Sequence, residues 1–274
     1  MKKKNMIAGI LIGAVLVAGL AYTGYELYQW WNDGRLIQQE ADEIASDFLL
    51  PEETPPAMEP PEESGETQEE SPTESTEGQA EPVLTIDYEK LLATNSEAIG
   101  WIRIDGTSVN YPVMQASDNN KYMSMNIYGE YSSAGTPFLD CTNNLEPLDS
   151  NLVIYGHNMG IGRTSAFSTL TKYKSHSHWS RYPLIELNLK GETGLWRIFA
   201  VLEFNVEDLS AYNYTTHNFL TQEEMQAFVN EAKQRSSYDT GVEVTGEDHI
   251  LTLSTCDRGT YGTKGRIVIM AVKE

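Results

Sequence analysis

Two periods of apolar and polar residues run along this chain and divide it. From Ile7 to Ala21 every residue is Ile, Leu, Val, Ala or Gly, with no charge and no proline. Such a run predicts a helix that is apolar on all sides. A weaker helical pattern follows around Arg35–Leu50. Beyond Val83 the period shortens to two. Trp101–Ile104 and Val109–Val113 alternate about Asp105-Gly106, a turn pair that predicts a hairpin. Further strands are predicted at Thr136–Asp140, Leu152–Tyr155, Leu184–Leu189, Trp196–Phe204, Ile250–Thr255 and Arg266–Val272. Helices are predicted at Asp87–Thr94, Arg163–Leu170 and Thr221–Ser236, the last opening with Thr221 and Glu224 as a capping box. Many short strands with few helices between them predict a mainly β domain over 83–274, closed or nearly closed into a barrel.

Charge sharpens the division. The net charge of −21 excludes a nucleic-acid binder, which needs Lys and Arg for the phosphates. Residues 40–82 hold fifteen acidic groups and no basic one, with seven of the eleven prolines between Pro51 and Pro82. That stretch buries too little to offset its ordering entropy, so 51–82 is expected to be an extended, disordered acidic linker. At the other end, Lys2, Lys3 and Lys4 precede 21 uncharged positions. At about 1.5 Å per residue these reach roughly 31 Å, one hydrocarbon core. Tyr22, Tyr25, Tyr28, Trp30 and Trp31 crowd the far end, as at a membrane interface. The expectation is a basic cytoplasmic tail (1–5), a transmembrane signal anchor (6–25) and a juxtamembrane stalk (26–50), with the domain outside the cell. A cleavable signal peptide is the rival, but its apolar region is usually about 7–15 residues, shorter than this one.

The chemistry-bearing residues lie late in the domain. Cys256 ends one predicted strand, and Arg266 opens the next after a polar loop. Two strands so joined pair antiparallel most simply, which sets thiol and guanidinium side by side. A nearby cation favours the thiolate, the reactive form. His157 stands just past the strand ending at Tyr155-Gly156, exposed enough to reach a substrate and held by a rigid element. A buried structural cysteine and a surface histidine are the plainer readings of these residues taken singly.

Taken together, Thr252-Leu253-Ser254-Thr255-Cys256, Arg266 ten residues later and Tyr155-Gly156-His157-Asn158 resemble the sortases, membrane-anchored cysteine transpeptidases of Gram-positive bacteria. The likeness is nearest to class B. It includes Gly100–Asp105, Asn110–Val113, Ala134–Asp140 and the helix Thr221–Ser236. It implies a closed β-barrel of about eight strands, with an N-terminal helix and a long helix before the cysteine strand. It implies a thioester on Cys256, with His157 as general acid and base. Arg266, always charged, would hold the oxyanion, assisted by a main-chain N–H after the nucleophile strand. Substrates would be secreted proteins bearing a C-terminal sorting signal. The acceptor would be a peptidoglycan amine or, in the pilin-polymerising alternative, a pilin amine. Neither cofactor nor metal is implied.

The resemblance also suggests substrate-binding roles for Asn126, Tyr155, Tyr214, Ser254 and Thr255, with Tyr155 supporting His157, and leaves the role of Asp257 open. His176 and His178 lack a third metal ligand at fixed spacing. Cys141 is expected to be free, because a disulfide to Cys256 would block the nucleophile. Rival thiol enzymes of the cell wall fit less well. L,D-transpeptidases place Ser-His-Gly before the cysteine, and peptidoglycan hydrolases of the papain type place the cysteine before the histidine.

Overall fold

The hairpin about Asp105-Gly106 forms from β1 (Ala98–Arg103) and β2 (Asn110–Met114), paired antiparallel, with Gly106 at φ +70° where a side chain would be strained. The computed structural model describes residues 2–50, 84–160, 162–208, 212–257 and 264–274, with backbone alone for 2–15 and 208. The acidic linker expected at 51–82 lies outside the described residues.

Six more strands follow: β3 (Phe138–Leu139), β4 (Asn151–Tyr155), β5 (Leu184–Leu189), β6 (Glu192–Asn205), β7 (Ile250–Cys256) and β8 (Gly265–Lys273). They close in the order β1-β2-β3-β4-β7-β8-β6-β5, with β5 returning to β1. The barrel is mixed, since β2–β3 and β4–β7 pair in parallel. Closure removes the free sheet edges that short strands would otherwise expose.

Strand alternation decides what fills the barrel. Leu152 and Ile154 of β4, Leu251 and Leu253 of β7, and Ile267 and Ile269 of β8 all pack into one buried core. Their neighbours of opposite parity face outward. Helix α4 (Gln222–Arg235), which follows the one-turn α3 (His176–Trp179), covers part of that outer face, setting Met225, Phe228, Val229 and Ala232 against Ile250, Val268 and Met270. Its N-terminus is capped as expected: Thr221 accepts from the Glu224 N–H at 3.2 Å, and the Glu224 carboxylate accepts from the Leu220 N–H.

One predicted helix is absent. Arg163–Leu170 forms no α-helix. The Ala166 N–H donates to the Tyr111 hydroxyl and the Phe167 N–H to the His157 carbonyl, so the segment's donors go elsewhere. Ala166 sits at φ 50° and bridges to Asn158, and only a 3-10 turn follows at Ser168–Lys174.

The N-terminal helix α1 runs from Lys2 to Phe48. Its last turns are packed into the domain. At helical spacing, Ile44, Ala45 and Phe48 join Trp101, Met114 and Phe138 and the short helix α2 (Tyr88–Thr94) in covering one side of the barrel, while Ala41 packs with the barrel core. Phe48 is 1% exposed. The segment expected as a stalk therefore ends inside the domain's own packing. Among the described residues no helix is long and apolar enough to cross a membrane. Much of the run expected to do so, through residue 15, lies outside the described side chains.

Candidate active site

Register brings three segments to one place. Strands β7 and β8 pair with Cys256 directly opposite Arg266, the juxtaposition expected from the loop between them. Strands β4 and β7 pair in parallel with Tyr155 level with Ser254, so two steps further along each chain come His157 and Cys256. Parity places Cys256, Ser254 and Arg266 on the outer face of the barrel, because Leu253 and Ile267 are turned into the core. His157 continues the outward parity of Tyr155.

The chain beyond β4 is held on both sides of His157. The Gly156 N–H donates to the Ser254 carbonyl at 3.2 Å, and Asn158 donates from Nδ2 to the Cys256 carbonyl at 2.7 Å. Gly156 has no room for a side chain, since a Cβ there would meet the Phe167 ring at 2.6 Å. The imidazole is fixed through Nε2, 2.8 Å from the Met123 carbonyl. A carbonyl only accepts, so Nε2 carries the hydrogen and Nδ1 is the nitrogen left for proton exchange with a thiol.

Cys256 is half-buried, and both cysteines are free. The Asp257 N–H donates to the Gly265 carbonyl at 2.8 Å, so this first main-chain N–H after the nucleophile is already engaged. The Arg266 guanidinium donates from Nη1 to the same carbonyl at 2.8 Å. Asp257, whose role the sequence leaves open, is buried and paired with the Lys174 ammonium at 2.7 Å. Burial works against the charge of Lys174, but Asp257 and Glu203 together outweigh it and raise its pKa.

The other expected site residues separate into groups. Tyr214 and Ser254 meet on the nucleophile's face, hydroxyl to hydroxyl at 3.1 Å. Burial raises the Tyr214 phenol, partly offset by Ser254 and by the Arg266 charge. Its loop is pinned by Asn151, fully buried, which donates to the Tyr214 and Thr216 carbonyls. Thr255 has the opposite parity from Cys256. It is 2% exposed, and its hydroxyl has no partner among the described residues. Tyr155 donates to Asp140 at 2.9 Å and packs on Phe138. Burial would raise the Asp140 carboxyl, but bonds from Thr142, Tyr155 and Asn119 prevail and hold it below its ordinary value.

Asn126 stands apart from these residues. It is 4% exposed beneath α1, donating from Nδ2 to Glu40 at 2.7 Å, while its oxygen accepts the Tyr128 and Glu130 N–H groups. A cavity of about 610 Å³ also lies along α1, between Trp30–Ser46 and Gly162–Thr164, and not beside Cys256.

Sequence reasoning missed Asn158, Lys174 and Met123. Asn158 adjoins the histidine and was open to inference. Lys174 lies 83 residues before its partner Asp257, and Met123 acts through its main chain, so neither leaves a local signal.

Comparison with known proteins accords with this geometry. Residues 102–274 match the sequence model of the Sortase domain. A sortase B of Staphylococcus aureus is 33% identical over 184 residues, 67% of this chain and 73% of that protein. A sortase B of Listeria monocytogenes is 36% identical over 187 residues, 67% and 71% of the two chains. A solved Staphylococcus aureus sortase B–substrate complex superposes with a TM-score of 0.62 at 32% identity, covering 68% of this chain and 84% of that one.

Proposed function

The chain belongs to the sortase family, with sortase B proteins among its relatives, and from that premise we propose that it cleaves a C-terminal sorting signal on secreted proteins and passes the acyl group to an amine, that of peptidoglycan. The observation that carries this reading is the register: Cys256 stands opposite Arg266, and His157 and Cys256 each lie two residues past the paired Tyr155 and Ser254. That the Staphylococcus aureus relative is solved with a substrate supports it.

In this scheme the Cys256 thiol gives its proton to His157 Nδ1, and the thiolate attacks the scissile carbonyl. The Arg266 guanidinium meets the oxyanion, remaining charged throughout. Collapse expels the amine, which takes the proton from Nδ1 and leaves a thioester on Cys256. The acceptor amine then attacks, Nδ1 takes its proton, and the thiolate departs as the new amide forms. Tyr214 and Ser254, both buried and bonded hydroxyl to hydroxyl, brace the strand that carries Cys256.

The same reading makes the chain a single-pass membrane protein, its three N-terminal lysines cytoplasmic and its catalytic domain outside the cell. The uncharged run and its aromatic border support this, as does the acidic, proline-rich linker that would space the domain from the surface.

A peptide vinyl sulfone carrying a sorting motif tests the site. Labelling of Cys256 with Cys141 untouched, abolished by Cys256→Ala, is the expected result. Equal labelling of both thiols would contradict the proposal, because a selective nucleophile needs a bound peptide beside it.

A further inference from the structure

The family match begins at residue 102, yet α1, well before it, reaches the support of the catalytic histidine. Three successive carbonyls tell how. In the 3-10 turn Lys121–Met123 and the residue after it, the Tyr122 carbonyl accepts from the Thr136 N–H and the Ser124 carbonyl from the Ser132 N–H, each at 3.0 Å. Between them the Met123 carbonyl is the one that takes His157 Nε2. The place of that carbonyl is therefore set by residues 132 and 136.

Ser132 is in turn held from α1. Its hydroxyl donates to Glu40 Oε2 at 3.0 Å, and Asn126 Nδ2 donates to Glu40 Oε1 at 2.7 Å. Both partners are about 95% buried, and Asn126 closes the turn that leads back to Ser132 through the Glu130 carbonyl and its own N–H. One carboxylate on α1 thus ties together two buried loop residues on the strip of chain carrying the Met123 carbonyl. Buried donors of this kind are costly to leave unpaired, so the link fixes a geometry and does not merely decorate a surface.

We infer that Glu40 is a positioning residue for His157, acting through Ser132 and the Met123 carbonyl to hold the imidazole as the Nε2–H tautomer with Nδ1 toward Cys256. The inference deepens the proposed transpeptidase reading and rests on it for its catalytic meaning. The structural link itself does not. Helix α1 then belongs to the catalytic unit, and the part of the chain nearest the proposed membrane anchor is joined to the proton-transfer group.

The experiment uses the full chain in detergent micelles, labelled with 15N-histidine. In the wild type, neutral His157 is expected to show a protonated Nε2 and an unprotonated Nδ1. Glu40→Ala is expected to mix the two tautomers and to lower kcat by roughly 10- to 100-fold with KM little changed, the scale that small misplacements reach. Glu40→Gln, whose amide can accept from Asn126 and donate to Ser132, is expected to restore the wild-type tautomer and most of kcat.

Ile44→Ala, which removes packing from the same helix without touching this link, is expected to lower the melting temperature and leave the tautomer alone. The inference is overturned if Glu40→Ala keeps the single tautomer, or if Ile44→Ala mixes the tautomers equally. Should Glu40→Ala not fold, a mixed tautomer in Ser132→Ala supports the link and an unchanged one overturns it. The spectra need no substrate. A wild type with the fixed tautomer but no transpeptidation would fail the functional reading and leave this link standing.

Discussion

Tyr155→Phe separates a structural tyrosine from a substrate-binding one. The phenol donates to Asp140 at 2.9 Å, and the ring stays packed on Phe138 whether or not the hydroxyl is present. A hydrogen bond to an ionised acceptor contributes about 1.5–3 kcal/mol. Asp140 keeps Thr142 and Asn119 as donors, so the lower figure applies, about 1.5 kcal/mol. For a domain of this size that lowers the melting temperature by roughly 3–6 °C.

The loss should depend on pH. The folded Asp140 carboxyl titrates below its ordinary 3.8, so the stabilisation from its donors is complete above that value and disappears as pH falls through the folded one. Calorimetry from pH 8 to pH 3 should show a constant gap between wild type and Tyr155→Phe down to about pH 5, narrowing in more acid solution. Transpeptidation at pH 7 should stay within about threefold, because His157 is held by Met123 and its flanking main-chain bonds and not by this hydroxyl. A hundredfold fall in kcat/KM with an unchanged melting temperature would refute the argument and return the hydroxyl to the substrate.

Two further substitutions probe the frame around the site. Asn158→Ala removes the 2.7 Å bond to the Cys256 carbonyl and should cost about 1 kcal/mol in denaturant titration. It should also slow acylation by roughly tenfold, since it removes one of the two bonds that hold the chain beside His157 to the nucleophile strand. Equal acylation rates would show that register alone aligns the two. Phe48→Ala empties a fully buried place beside Trp101, so a loss of about 3–5 kcal/mol is expected. A change below about 1 kcal/mol would show that α1 is not part of the domain's packing.

Local pattern made much of the barrel legible. The β1–β2 hairpin, the inward leucines of β7 and the capping box of α4 are written in neighbouring residues. So was the opposition of Cys256 and Arg266, because two strands joined by one loop have few ways to pair. The parallel pairing of β4 with β7 was not legible, since alternation tells a strand its faces but not its neighbour. The Arg163–Leu170 pattern misled because its backbone donors are claimed by Tyr111 and His157, which no window of that length contains.

Asn126 shows the same limit at the site. Its position in the order of segments suggested a substrate groove, whereas its amide is bonded to Glu40, 86 residues earlier. The helical spacing of Ala41, Ile44, Ala45 and Phe48 was present in the sequence. What it packs against was not. The Met123 carbonyl is beyond sequence reading altogether, because any residue type supplies one.

The central claim is that Cys256 forms a thioester that an amine resolves. The direct measurement is intact-protein mass spectrometry of the full chain with LPxTG-, NPxTN- and SPxTG-type peptides, with and without an added amine. The expected result is an acyl adduct on Cys256 that accumulates without amine and is converted to amide product with it. It should be absent in Cys256→Ala and strongly reduced in His157→Ala and Arg266→Ala. An adduct on Cys141, or peptide cleavage that persists in Cys256→Ala, would contradict the account.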